Sequence, residues 1–280
     1  MMLTLLSCCV GCSSDVPRNA EAEAIRPQVD QVRFFERPAA LAAVRKSGLP
    51  LPLVVLLESD PWAQVLGSDS PTFALYEDGT VIWRAGQGFA ETRLTAGEME
   101  LFLEELNPSA LARSYGHFLA DDATDQPEQN LLIYRGDKPT FVSVYGSLKD
   151  PAVRGKVPQE VVAAYDTLRT FSHARSQQWL PEYVEVMIWP YEYAPAPSNK
   201  WPEGWPELND RRTVRRGEDS FSIFLPSAML PELRAFRERT NEKGAVEIDG
   251  RKWATGIRFP FPQESLWMAP DLEADEPPRQ

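Results

Sequence analysis

Apolar positions in this chain follow two rhythms, the two-residue alternation of strands and the three-to-four spacing of helices, and the rhythms alternate from about residue 51 to 259. Leu51–Glu58 is a continuous apolar run, which reads as a buried strand. In Thr72–Trp83 two β-prone runs flank Asp78-Gly79, a pair that tolerates the positive φ of a tight hairpin turn. A helix is predicted from Thr95, where Glu98 stands three residues on to complete a capping box. Met99, Phe102, Leu103 and Leu106 give that helix one apolar stripe.

The order then recurs. Leu131–Tyr134 and Thr140–Tyr145 flank Gly136-Asp137-Lys138-Pro139, a second hairpin. Pro158 opens a helix in which Val161, Val162, Tyr165 and Leu168 face one way. A looser third round has strands at Tyr183–Trp189 and Ser220–Leu225, a long loop between them, and a helix with Leu230, Leu233 and Phe236. A last hairpin turns at Asp249-Gly250; in its second strand Trp253, Thr255, Ile257 and Phe259 alternate with Lys252, Ala254, Gly256 and Arg258. That alternation predicts one buried face and one solvated face. The expected class is α+β, an antiparallel sheet or sheets with helices packed on one face. The recurrence fits strand-strand-helix units or the ordinary grammar of such a sheet. The expected organisation is a signal segment at 1–12, a flexible tether at 13–31 and an α+β domain at 32–175. Residues 180–268 form a second unit or continue the same sheet, and 269–280 form a disordered acidic tail.

Composition narrows the partners. The chain has 280 residues, 43% of them hydrophobic, enough for one large core or two ordinary ones. Its formal net charge of −12 repels phosphate backbones, so nucleic acid is not an expected partner. All three cysteines, Cys8, Cys9 and Cys12, lie in the first dozen residues, and the only histidines are His117 and His173. Disulfides, thiolate metal sites and a Cys/His pair are thereby excluded from the body, and no metal or cofactor is expected.

The cysteine cluster gives the address. An apolar run from Met1 ends in small residues and cysteine, then turns polar at Ser13-Ser14-Asp15. This resembles the end of a bacterial lipoprotein signal peptide, in which a small residue precedes the cysteine to be lipidated. Leu5-Leu6-Ser7-Cys8 and Cys9-Val10-Gly11-Cys12 both fit; Cys12 is preferred because Gly11 is small and a polar tether follows, with Cys8 the alternative. Acyl chains there would hold the protein at a membrane, at about 0.8 kcal/mol per buried methylene. Around Phe73–Trp83, Leu94-Thr95 and Leu131–Pro158 the chain also resembles a set of bacterial secreted proteins and lipoproteins of uncharacterised activity. The resemblance covers about residues 71–172, rests on a strand, a Tyr-x-Asp-Gly hairpin and a following helix, and implies location and fold but no activity.

Catalytic signatures are sparse. Neither a Gly-x-Ser-x-Gly elbow nor a glycine-rich phosphate loop occurs. Asp121, Asp122 and Asp125 lack the glycine and downstream glutamate of a calcium loop and read as solvated. His117 and His173 read as packing or capping residues. The distinctive segment is Trp189–Pro206, with three Trp, two Tyr and five Pro in eighteen residues. Trp189, Tyr191, Tyr193, Trp201 and Trp205 could form a platform for a glycan or an extended peptide, or could fold back as a core plug. Arg211, Arg212, Arg215 and Arg216 form a basic cluster just downstream. The expected function is that of a non-enzymatic envelope lipoprotein acting through binding. The alternative is a carboxylate-dependent hydrolase of an envelope polymer, which needs two acids roughly 5 to 9.5 Å apart across a cleft.

Overall fold

A computed structural model describes residues 25–28, 38–59, 70–134, 139–241 and 243–267. Cys8, Cys12 and the acidic tail lie outside the described residues, as does the Gly136-Asp137-Lys138 turn. The fold is α+β, built on two mixed, mostly antiparallel sheets.

Helix α1 (Pro38–Ser47) leads into β1 (Pro52–Ser59), the apolar run, which becomes an interior strand of the first sheet. Next come β2 (Phe73–Tyr76), β3 (Thr80–Ala85) and β4 (Gly88–Arg93) as an antiparallel meander. The Asp78-Gly79 turn forms as expected, with Gly79 at φ 84°. A Cβ at Gly79 would stand 2.5 Å from the Leu94 carbonyl oxygen, so no other residue fits there. Helix α2 (Ala96–Leu106) carries the full capping box at Thr95 and Glu98. The chain continues through α3 (Pro108–Arg113), β5 (Gly116–Leu119), β6 (Glu128–Ile133), β7 (Thr140–Tyr145), α4 (Pro151–Arg154) and α5 (Gln159–Arg169). Strand β8 (Gln177–Trp179) closes the first sheet, whose order is β5-β7-β6-β1-β2-β3-β4-β8. The β5–β7 pair is parallel.

The second sheet holds β9 (Tyr183–Pro190), β10 (Ala196–Lys200), β11 (Thr213–Arg215), β12 (Phe221–Pro226), β13 (Gly244–Ile248) and β14 (Arg251–Arg258), with α6 (Leu230–Arg239) after β12. Its order is β10-β13-β14-β9-β12-β11, and β10–β13 is a parallel pair. Strands β10 and β11 fall inside what the sequence reads as one long loop; both are short, and Pro, Asn and Arg give them no alternating signal.

Helices α2, α3 and α5 cover one face of the first sheet, where Leu56, Phe73, Leu75, Val81 and Trp83 meet Phe102, Leu106 and Leu168. The opposite face, with Val55, Ala74, Ile82 and Leu132, shares one continuous core with the inner face of the second sheet and α6. The segment after β14 joins them: Phe259 and Phe261 pack on Phe89 of β4, and Phe261 also meets Trp179 of β8.

One expectation fails at β14. From Trp253 onward every residue of the strand is buried, and Arg258, placed by alternation on a solvated face, has 0% exposure. Its guanidinium is held by Glu185 Oε2 at 2.5 Å, opposite on β9, and by both oxygens of Glu264 beyond the strand end. Ser222 donates to Glu185 Oε1, and Arg216 Nη2 lies 3.3 Å from the same oxygen. Alternation reports a strand's two faces, but not what later folds over them. Burial holds the Glu264 carboxyl above the ordinary glutamate value despite Arg258 beside it. On the far side of the first sheet Glu98 is pulled down to about 2 by hydrogen bonds from Arg175 and Thr95.

Removing one member of a buried ion pair strands the other charge. Arg258→Met should therefore cost about 3–5 kcal/mol by denaturant unfolding, and Glu185→Leu/Arg258→Met should cost less than the sum of its two single variants. The two shifted acids should titrate oppositely in carboxyl-carbon NMR. Glu98 should have a midpoint of about 2, so that its contribution to stability is present above the unfolded glutamate pKa and lost as pH falls through that midpoint. Glu264 should titrate above the usual range, its contribution being present below the unfolded pKa and lost as pH rises through the folded one.

Candidate functional site

The structure divides the five aromatic candidates rather than gathering them. Trp201 is 9% exposed and donates its Nε1–H to the Pro206 carbonyl at 2.8 Å. It meets Trp205 edge-on at 5.0 Å between ring centroids, and both rings pack on Phe236 of α6. These two tryptophans plug the core. Trp189 is half-buried across Gly256, where an added Cβ would stand 3.3 Å from the indole. Tyr191 is also half-buried, and only Tyr193, 93% exposed, projects freely. The prolines return the segment to α6, where apolar rings leave water, and no open platform forms.

The basic cluster is largely consumed internally. Arg212 clasps Asp210, whose carboxyl is held well below the usual range by that pairing. Arg215 donates to the Gly217 and Glu218 carbonyls, and Arg216 serves Glu185 and Ser222. Arg211 is exposed.

Each histidine sits beside a hydroxyl and a glutamate. Ser143 Oγ lies 2.9 Å from His117 Nδ1 and donates to Glu128 at 2.6 Å. Ser143 is 2% exposed, which keeps it from any substrate, and the set ties β5, β6 and β7 together. His173 Nδ1 accepts the Arg175 N–H at 3.2 Å and lies 3.1 Å from Thr92 Oγ1, while its Nε2 is 3.5 Å from Glu98. Thr92 is buried too, so these contacts fasten the 170–176 turn to the start of α2. Two acids do face each other, Glu185 and Glu264, but the Arg258 guanidinium bridges them where a scissile bond would have to lie. Among the described residues no three His, Cys, Asp or Glu side chains gather as a metal site, and no helix is long and apolar enough to cross a membrane.

The candidate site is elsewhere, where the chain passes from one sheet to the other. Among the described residues strand β8 is an edge strand, paired with β4 alone. Beside it, Ser227 donates from its backbone N–H to the Glu182 carbonyl at 3.0 Å and from its hydroxyl to the Pro181 carbonyl at 2.5 Å. These bonds hold the start of α6 against the exit from β8 and leave a groove of about 410 Å3 between them. Gln178 and Leu180 form one wall; Leu230, Pro231, Arg234 and Ala235 form the other. Leu180 is 41% exposed. Arg234 Nε is buried with no hydrogen-bond partner, and among the described residues no carboxylate forms an ion pair with that guanidinium. The sequence offered no sign of this groove: a three-residue strand carries no periodic signal, and of the helix wall only Leu230 belongs to the apolar stripe.

The division of the aromatics has a direct test in unfolding measurements. Trp201→Ala should cost about 3–5 kcal/mol, whereas Tyr193→Ala should stay within about 0.5 kcal/mol of the wild type. Compared with known proteins, the chain matches no family model, no curated protein and no solved structure.

Proposed function

We propose that this chain is an envelope lipoprotein of bacteria that acts by binding, with a lipid on Cys12 as tether and the β8–α6 groove as contact surface. The binding half is carried by one observation, a sheet edge that is unpaired among the described residues and runs beside an open, largely apolar groove with an arginine in its wall. Ligand sites of other proteins share that make-up, apolar walls with a few placed polar groups. The tether half is supported by the cysteine-ended apolar run at residues 1–12 and the polar residues after it.

The full gene, expressed in a bacterial host, should give a product with the mass of a lipidated cysteine that sediments with membranes. Cys12→Ala should remove the added mass and release the protein to the soluble fraction, while Cys8→Ala should change neither. A soluble, unmodified wild type would sink the envelope reading.

A further inference from the structure

We infer that the groove takes an extended, mainly apolar peptide carrying a single carboxylate, which adds as a strand to β8 and sets that carboxylate on Arg234. This rests on the binding reading above and names its ligand class.

Three observations converge. First, among the described residues β8 has a hydrogen-bonded neighbour on one side only, so its other side offers backbone donors and acceptors to an incoming strand. Second, the groove runs beside that edge and is walled by Leu180, Leu230, Pro231 and Ala235, which suits alternate apolar side chains of such a strand. Third, Arg234 in the same wall buries its Nε without an acceptor. An unmade bond of a buried charged donor is costly, and a carboxylate is the group whose two oxygens match a guanidinium fork. In a chain with 41 acidic and 29 basic side chains, an arginine that pairs with none of the described acids is a poor bargain unless something else supplies the anion.

The global charge limits the ligand further. At −12 the protein repels polyacids, and Glu238 stands on the groove's own rim. One carboxylate placed on Arg234 meets local attraction, whereas a run of them meets the wider field. The rest of the peptide is therefore apolar or neutral.

The test uses the full chain and fluorescein-labelled hexapeptide pools of alternating Val, Leu and Thr, amidated at the C-terminus. One Glu is placed at each position in turn, and matched pools carry Gln instead. Fluorescence anisotropy should show the Glu pools binding at least about tenfold more tightly than the Gln pools, the scale of one charge-assisted hydrogen bond. Arg234→Gln should erase that preference and Arg234→Lys should restore part of it. N-methylating alternate backbone nitrogens of the best peptide, a change that leaves the protein untouched, should abolish binding. Equal binding of Glu and Gln pools, or indifference to Arg234→Gln or to N-methylation, would overturn the inference. A uronic-acid oligosaccharide that binds while every peptide pool is silent would also overturn it, yet would leave the binding reading standing. Silence from all probes overturns it as well, and the lipid-mass experiment then decides separately whether the envelope reading survives.

Discussion

A guanidinium with no exposure to water must find its partners inside the protein, and Arg258 finds them on two sides. Glu185 reaches it from the neighbouring strand, and Glu264 reaches it from the turn beyond β14. Moving ions of this size out of water costs several kcal/mol each, so the arrangement is stable only with all members present. The second contact bends the chain, because Glu264 also accepts the Phe261 N–H at 3.1 Å. The bend sends Phe259, Phe261, Leu266 and Trp267 into the core that both sheets share. Tyr76 and Tyr134 then donate to the Pro262 and Leu266 carbonyls. An electrostatic requirement at the end of one strand thus closes the hydrophobic seam between two sheets.

The groove follows from the same construction. The chain leaves the first sheet at Trp179 and enters the second at Tyr183, a crossing of three residues that itself carries no covering element. The Ser227 bonds draw α6 to that crossing, and α6 buries Leu230, Leu233 and Phe236 toward the second sheet. Pro231, Arg234 and Ala235, with Leu230 at the boundary, are left beside the edge of β8, which no described strand covers. Edge strands are usually blunted by charge, proline or covering chain. At β8 the blunting is by shortness, three residues, and the edge borders a cleft, a geometry that leaves room for capture.

The aromatic segment shows how composition can mislead about exposure. Three tryptophans in a proline-rich stretch look like a binding platform, yet a large ring gains most by leaving water. Helix α6 provides Phe236 as a surface for Trp201 and Trp205, and the indole N–H of Trp201 is satisfied by a carbonyl of its own loop. The prolines limit the conformations such a loop must give up, so returning it to the core costs less.

By itself the sequence determined the elements whose causes are local. The capping box at Thr95, the Asp78-Gly79 and Asp249-Gly250 turns, and the apolar stripes of α2, α5 and α6 each depend on residues a few positions apart. Those causes were enough for the α+β class and for most strand and helix positions. The cysteine cluster supplied an expected address on similar local grounds. The tertiary structure alone decided what depends on distant partners: that Arg258 is buried, that Trp201 is a plug, that Arg212, Arg215 and Arg216 are spent internally, and that β8 ends a sheet beside α6. Glu185 and Arg258 are 73 residues apart in the chain. No periodicity encodes such a meeting, because pattern reports which face of an element seeks burial and packing decides what it is buried against.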